Sequence, residues 1–229
     1  MQTVRVWDIP VRLFHWLLVL AILGLFITAN LGGNWMEWHK KLGFFVLGLI
    51  LFRVMWGMVG NHQARFVNFV RGPATVLQYA KGLLKPDSNH TIGHNPLGAW
   101  SVLALLAVLA FQVVTGLFSN DDILLEGPYA SMVSKALSDQ LTSLHKLNSD
   151  LILFLIALHV AAIIFYTVYK KEKLIKAMFS GEKIISTSTS TGAANEAKVP
   201  EKARPYWLSW LVALVVGGLT YAVATRVFW

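Results

Sequence analysis

Residues 144–168 read LHKLNSDLILFLIALHVAAIIFYTV. Two histidines, His145 and His159, sit on this one apolar stretch, 14 residues apart. At about 100° per residue that separation falls about 40° short of four full turns, and at about 1.5 Å per residue it spans roughly 21 Å. On one helix both imidazoles therefore lie on nearly the same face, at two depths. Two further histidines, His15 and His39, open two earlier apolar stretches. Ionisable side chains inside a bilayer are costly and mark functional sites by default. Two pairs of neutral imidazoles at two depths is what two stacked haems need as axial ligands.

The whole chain fits a lipid solvent. Its 229 residues are 55% hydrophobic and only 14% charged, with a mean hydropathy of +0.56. Soluble domains carry about 25% charged residues. Many of the nine tryptophans, such as Trp7, Trp16, Trp35, Trp38, Trp56 and Trp207, mark the ends of apolar runs, as in the aromatic belts of membrane interfaces. The chain has no cysteine. That excludes disulfides, thiolate metal sites, iron–sulfur clusters and covalent haem attachment through Cys-Xaa-Xaa-Cys-His. The net charge of +8 does not point to nucleic acid, because the basic residues gather in particular loops.

Five stretches are long enough to span, near residues 11–30, 39–59, 97–118, 147–168 and 207–228. Each has about the 20 residues that a hydrocarbon core of about 30 Å requires. Backbone groups must pair internally there, so helices are expected. The first stretch lacks a strongly basic n-region and a good cleavage site, so it reads as an uncleaved helix. The loop 60–96 carries Arg65, Arg71, Lys81 and Lys85 against Asp87, and the segment 170–206 is lysine-rich. The loop 119–144 carries Asp121, Asp122, Glu126 and Asp139 against Lys135. Basic loops stay cytoplasmic. The N-terminus is then inside, the 30–38 turn and the 119–144 loop outside, and the C-terminus outside. Lys40, Lys41 and Lys146 fall on the outer side and weaken the pattern slightly. Within the acidic loop, 129–141 reads as a short surface helix. The Ser/Thr/Gly/Ala-rich stretch Ser186–Ala197 reads as a flexible linker.

This topology brings the histidines into register. His15 lies near the inner end of the first helix and His159 toward the inner side of the fourth. His39 and His145 lie near the outer ends of the second and fourth. The natural pairs are His15 with His159 and His39 with His145, each joining two helices at one depth. Bis-histidine ligation leaves no open position on iron, so such a haem exchanges electrons. Haem propionates need cationic partners. Arg12 and Arg53 sit at the inner level, and Lys40, Lys41 and Lys146 at the outer one; for any single one of them, ordinary snorkelling at a helix end is the plainer reading. Gly24, Gly43, Gly48 and Gly116 suit the close approach of a flat macrocycle, or simple helix packing through small residues. His62, His90 and His94 read as solvated or interfacial, with His94 near enough to the third span to line a quinone or proton site. The methionines read as packing residues.

The opening VWDIPVRLFHW (residues 6–16), the run Arg53-Val54-Met55-Trp56-Gly57, and Leu144-His145 followed by Leu158-His159 resemble the bacterial cytochrome b561 family, which includes the b-type cytochrome subunit of Ni/Fe-hydrogenases. The resemblance covers roughly residues 1–175. It implies an integral membrane b-type cytochrome with two non-covalent haem b groups, held by His15–His159 and His39–His145. It also implies a bacterial inner-membrane location and electron exchange between the quinone pool and a periplasmic redox partner, such as a c-type cytochrome or a hydrogenase.

The expected fold is an all-α transmembrane helical bundle. It comprises a four-helix di-haem core over 1–175, a cytoplasmic linker over 176–206 and an additional transmembrane helix over 207–229. The acidic outer loop suits a partner with a basic docking face. A rival reading is a His-lined metal-ion or proton transporter, which calls for acidic partners beside the histidines and for inverted repeats. Asp150 alone borders His145, none lies near His159, and no repeat is visible. A purely structural anchor leaves the four matched histidines unexplained.

Overall fold

The computed structural model describes residues 2–84, 91, 93–122, 125–185 and 205–228. In chain order the elements are β1 (Gln2–Arg5), α1 (Ile9–Leu31), α2 (Trp35–Val59), α3 (Phe66–Phe69), α4 (Pro73–Lys81), α5 (Pro96–Leu117), α6 (Lys135–Val168), α7 (Leu174–Ser180), β2 (Glu182–Ile185) and α8 (Tyr206–Phe228). Among the described residues, α1, α2, α5, α6 and α8 are long and apolar enough to cross a membrane. Leu20, Phe154 and Leu214 on three of these helices are 65%, 63% and 76% exposed. Such side chains would form a sticky surface in water, whereas lipid tails solvate them as well as a protein core does.

Four of the five expected spans overlap their helices closely. The other, expected from 147, begins at Lys135 and absorbs most of the surface helix expected at 129–141. No Gly or Pro interrupts residues 135–168, so nothing breaks the helix where its composition turns polar. Ser134 caps its start, its hydroxyl accepting from the Leu137 N–H at 3.3 Å, and Lys135 pairs with Asp139 one turn on at 2.9 Å. The segment expected as a linker opens with regular structure, α7 and β2; its Ser186–Ala197 stretch lies outside the described residues, as does His90.

The chain divides into two compact units. The first takes residues 1–13, 55–104 and 157–209. Asp8 is its clasp. One carboxylate oxygen accepts from the Val11 N–H at 3.0 Å, capping α1. The other accepts from the Trp56 indole at 3.0 Å and from the Asn61 amide at 2.6 Å. Trp56 is 1% exposed, so its N–H needs that partner. The motif pair Trp7-Asp8 and Met55-Trp56-Gly57 thus ties the start of α1 to the end of α2.

A two-stranded antiparallel sheet, not foreseen in the sequence, pairs β1 with β2 from Gln2↔Ile185 to Arg5↔Glu182. It closes on Gly181, whose carbonyl accepts from the Val6 and Trp7 N–H groups at 2.8 and 3.1 Å. Gly181 has φ +82°, and a Cβ there would lie 2.6 Å from the Trp7 carbonyl oxygen; only glycine fits both demands. In the same unit the Tyr79 and Tyr166 hydroxyls meet at 3.1 Å. Burial, with the Tyr166 hydroxyl beside it, pushes the Tyr79 phenol above its ordinary range.

The second unit takes residues 14–54, 105–156 and 210–229. Its core is Ala21 of α1, Val46 and Ile50 of α2, Leu109 of α5 and Ile152 of α6. The α8 helix docks through Thr220, whose hydroxyl lies 3.3 Å from where a Cβ on Gly48 would sit, and its Val223 carbonyl accepts from the Tyr129 hydroxyl at 3.1 Å. In the loop before α6, the Asn120 amide donates to Ser138 and Asp139 at 2.6 and 2.9 Å.

Candidate haem-binding site

Within the second unit, α2 and α6 bring His39 and His145 together. Their ring centroids are 6.4 Å apart and the ring planes cross at 80°. An imidazole nitrogen binds a metal at about 2 Å and the ring centroid lies about 1 Å behind it, so two imidazoles sharing one metal have centroids about 6 Å apart. The observed spacing fits one ion between the two rings.

The far nitrogens match that reading. His39 Nδ1 lies 3.0 Å from the Leu25 carbonyl oxygen on α1. His145 Nδ1 lies 2.9 Å from the Gln112 carbonyl oxygen on α5. A carbonyl only accepts, so each Nδ1 carries the proton and each Nε2 carries a lone pair, that of His145 accepting from the Gln112 side-chain amide where a metal would take its place. Around His145 the Gln112 side-chain nitrogen lies 3.2 Å from Nε2. The Gln112 amide oxygen accepts from the buried Asn148 at 2.7 Å, and Asn148 also donates to the Val108 carbonyl at 2.9 Å.

Two glycines shape the surroundings. A Cβ on Gly116 would lie 2.8 Å from His145 Cε1, so the imidazole rests directly on the α5 backbone. A Cβ on Gly43, one turn along α2 from His39, would meet nothing within 4 Å, and bare backbone there suits the face of a flat macrocycle. The residues present therefore fit a haem that His39 and His145 would hold.

His15 lies on α1 in the second unit, half-buried, with its ring edge-on to Trp16 at 5.0 Å. His159 lies on α6 in the first unit, half-buried between the exposed Leu158 and Val160. Arg53 is 3% exposed on α2. Arg12 donates through Nη1 to the Phe179 carbonyl, while its buried Nε makes no hydrogen bond. Lys40 pairs with Glu37 at 2.6 Å, Lys41 lies over the Trp38 ring at 4.9 Å, and Lys146 is exposed.

His94 is half-buried. Its ring lies 4.5 Å from Trp7 and 4.3 Å from Phe69, because the turn before α5 folds back onto these aromatics. His62 and His94 line one cleft of about 480 Å³ together with Gln63, Asn68 and Arg71. Among the described residues no three His, Cys, Asp or Glu side chains gather to hold a metal ion.

Sequence reading missed Thr28, Gln112, Thr115 and Asn148, the polar groups that back the two rings. Their signal was present. They are among the few polar side chains within otherwise apolar spans, where every such group needs a partner.

The sequence profile of the prokaryotic cytochrome b561 family matches residues 6–181. The chain belongs to this family. This cytochrome b561 member is thus an integral membrane protein with an electron-transfer role based on haem b. The matched region begins at Val6 and ends at Gly181, the two residues joined by the hydrogen bond that closes the sheet; α8 lies beyond it.

Among similar proteins, the probable Ni/Fe-hydrogenase B-type cytochrome subunit of Bradyrhizobium diazoefficiens is 24% identical over 220 residues, covering 79% of this chain and 86% of that one. The protein of the same description from Rhizobium leguminosarum bv. viciae is 26% identical over 218 residues, covering 80% and 90%. That of Azotobacter vinelandii is 32% identical over 140 residues, covering 49% and 58%. No solved structure matches the chain.

Proposed function

We propose that this cytochrome holds two haem b groups, one between His39 and His145 and one between His15 and His159, and passes electrons between membrane quinone and a redox protein on the periplasmic face of a bacterial inner membrane. The observation that carries the reading is the His39–His145 pair, with its 6.4 Å centroid spacing and both Nδ1 atoms turned to helix carbonyls. The second pair rests on the helical spacing of His145 and His159 and on the depths assigned from lysine and arginine placement. Arg12 and Arg53 are proposed as propionate partners. Haem held by these residues would supply one-electron chemistry. The chain's own part is to hold the imidazoles, exclude water with apolar helices and keep each ligand nitrogen unprotonated.

The names of the relatives support a hydrogenase as the partner. The acidic outer loop also suits a basic c-type cytochrome, although Asp122 and Asp139 both hold Lys135. The orientation places the N-terminus in the cytoplasm and the C-terminus in the periplasm.

A pyridine haemochrome assay on the purified chain tests the reading, with two haems b per chain expected. His39→Ala and His159→Ala should each remove a different spectral component. Absence of Soret absorbance would end the cytochrome assignment, and loss of the same component in both variants would end the pairing.

A further inference from the structure

Two helices that donate no ligand to an iron between His39 and His145 carry the same device. On α1, the Thr28 hydroxyl lies 2.7 Å from the Gly24 carbonyl oxygen and 3.1 Å from that of Leu25. On α5, the Thr115 hydroxyl lies 2.8 Å from the Phe111 carbonyl oxygen and 3.0 Å from that of Gln112. In each case the second of these carbonyls is the one facing a histidine Nδ1, Leu25 for His39 and Gln112 for His145. In each case the same threonine oxygen also faces that Nδ1, at 3.4 Å for Thr28 and 3.3 Å for Thr115. Both threonines are buried, 5% and 1% exposed.

The chemistry of one hydroxyl fixes the roles. A hydroxyl has one hydrogen and two lone pairs. Each threonine spends its hydrogen on its own helix, at the shorter distance, and presents a lone pair to the histidine. The Nδ1–H then faces two acceptors, a carbonyl oxygen and a hydroxyl oxygen. The alternative tautomer would set an imidazole lone pair against oxygen lone pairs on both sides. Most metal-bound histidines are oriented by a carboxylate, a carbonyl or a water. Here no carboxylate contacts either ring among the described residues, and a threonine reinforces the carbonyl instead.

Acceptors on Nδ1–H raise the basicity of Nε2. A more basic imidazole favours ferric over ferrous iron. We propose that Thr28 and Thr115 are positioning residues that hold the tautomer of His39 and His145 and lower the reduction potential of the haem between them. The proposal rests on the haem reading above and concerns that one haem only.

Thr28→Val and Thr115→Val remove the lone pairs and keep the branched shape, while Thr28→Ser and Thr115→Ser keep the hydroxyl. The full-length variants, purified with haem as expressed, are titrated spectroelectrochemically, and haem content per chain is counted. One hydrogen bond of ordinary net strength corresponds to about a two- to tenfold change in an equilibrium constant. Each valine variant should therefore favour the reduced form of one haem by about that factor at fixed ambient potential, where tenfold is 59 mV for one electron. The other haem should titrate as in the unaltered protein, and both serine variants should restore the original potential. If a valine variant sheds the haem instead, retention in the serine variant supports the proposal. Valine variants that titrate like the original, or serine variants that shift or lose haem as much as valine, overturn it. A preparation with no haem in the unaltered chain defeats the parent reading instead.

Discussion

Replacing Gly116 by alanine tests the site at its tightest point. The new Cβ would stand 2.8 Å from His145 Cε1. Ordinary carbon–carbon contact is about 3.5–4.0 Å, so ring or backbone must yield by roughly 0.7 Å. Metal–ligand distances tolerate about 0.2 Å. The required shift exceeds that several-fold, and it also strains the 2.9 Å link from His145 Nδ1 to the Gln112 carbonyl.

The fold itself should survive. Exchanging Gly for Ala inside a helix gains about 1 kcal/mol, which offsets much of the about 1–3 kcal/mol that overpacking costs. Gly116→Ala should therefore insert and purify normally yet lose about one haem of two in the haemochrome assay. Gly217→Ala is the control, because a Cβ at Gly217 meets nothing within 4 Å; it should keep both haems. Full haem content and an unchanged spectrum in Gly116→Ala would refute the placement of the His145 ring against α5.

Three other outcomes follow from the same geometry. Asp8→Ala should lower the thermal midpoint in detergent, since it removes a helix cap worth about 1 kcal/mol and the hydrogen bonds from the Trp56 indole and the Asn61 amide, each worth about 1 kcal/mol; an unchanged midpoint would show that the clasp contributes nothing. Gly181→Ala should loosen the β1–β2 sheet, because φ +82° and a 2.6 Å backbone contact both oppose a side chain, and limited proteolysis should then cut near residues 182–185 where the unaltered chain resists. The chain has no cysteine, so single replacements can be labelled cleanly: Met132→Cys should react with an impermeant maleimide from the periplasmic face and Val67→Cys only after lysis, both side chains being well exposed. The reverse pattern would invert the orientation.

Legibility in the sequence followed the physics of each feature. The spans declared themselves because twenty apolar residues have few other uses. The His39–His145 pair declared itself because ionisable groups in lipid demand a reason. The start of α6 did not, since polar residues 135–146 look like loop when judged by hydropathy, and only the lack of Gly and Pro marks them as helical. The β1–β2 sheet was invisible because its strands are four residues each and lie about 180 residues apart, just outside the two ends of the matched region. Gln112, Thr115 and Thr28 stood out as polar letters in apolar spans, but which carbonyl and which ring each one meets became plain only in three dimensions. Asp8 was visible as part of a motif, but its partners at Trp56 and Asn61 became plain only in three dimensions.

The Asp8 clasp bears on how the molecule is made. All of its members lie within the first 61 residues. Synthesis proceeds at about 5–20 residues per second, so the knot joining the first two spans can tie seconds before His145 leaves the ribosome. The nascent chain then offers His39 on a hairpin already fastened at its other end. On the proposed site, half of the ligand set would then stand ready before the fourth span arrives.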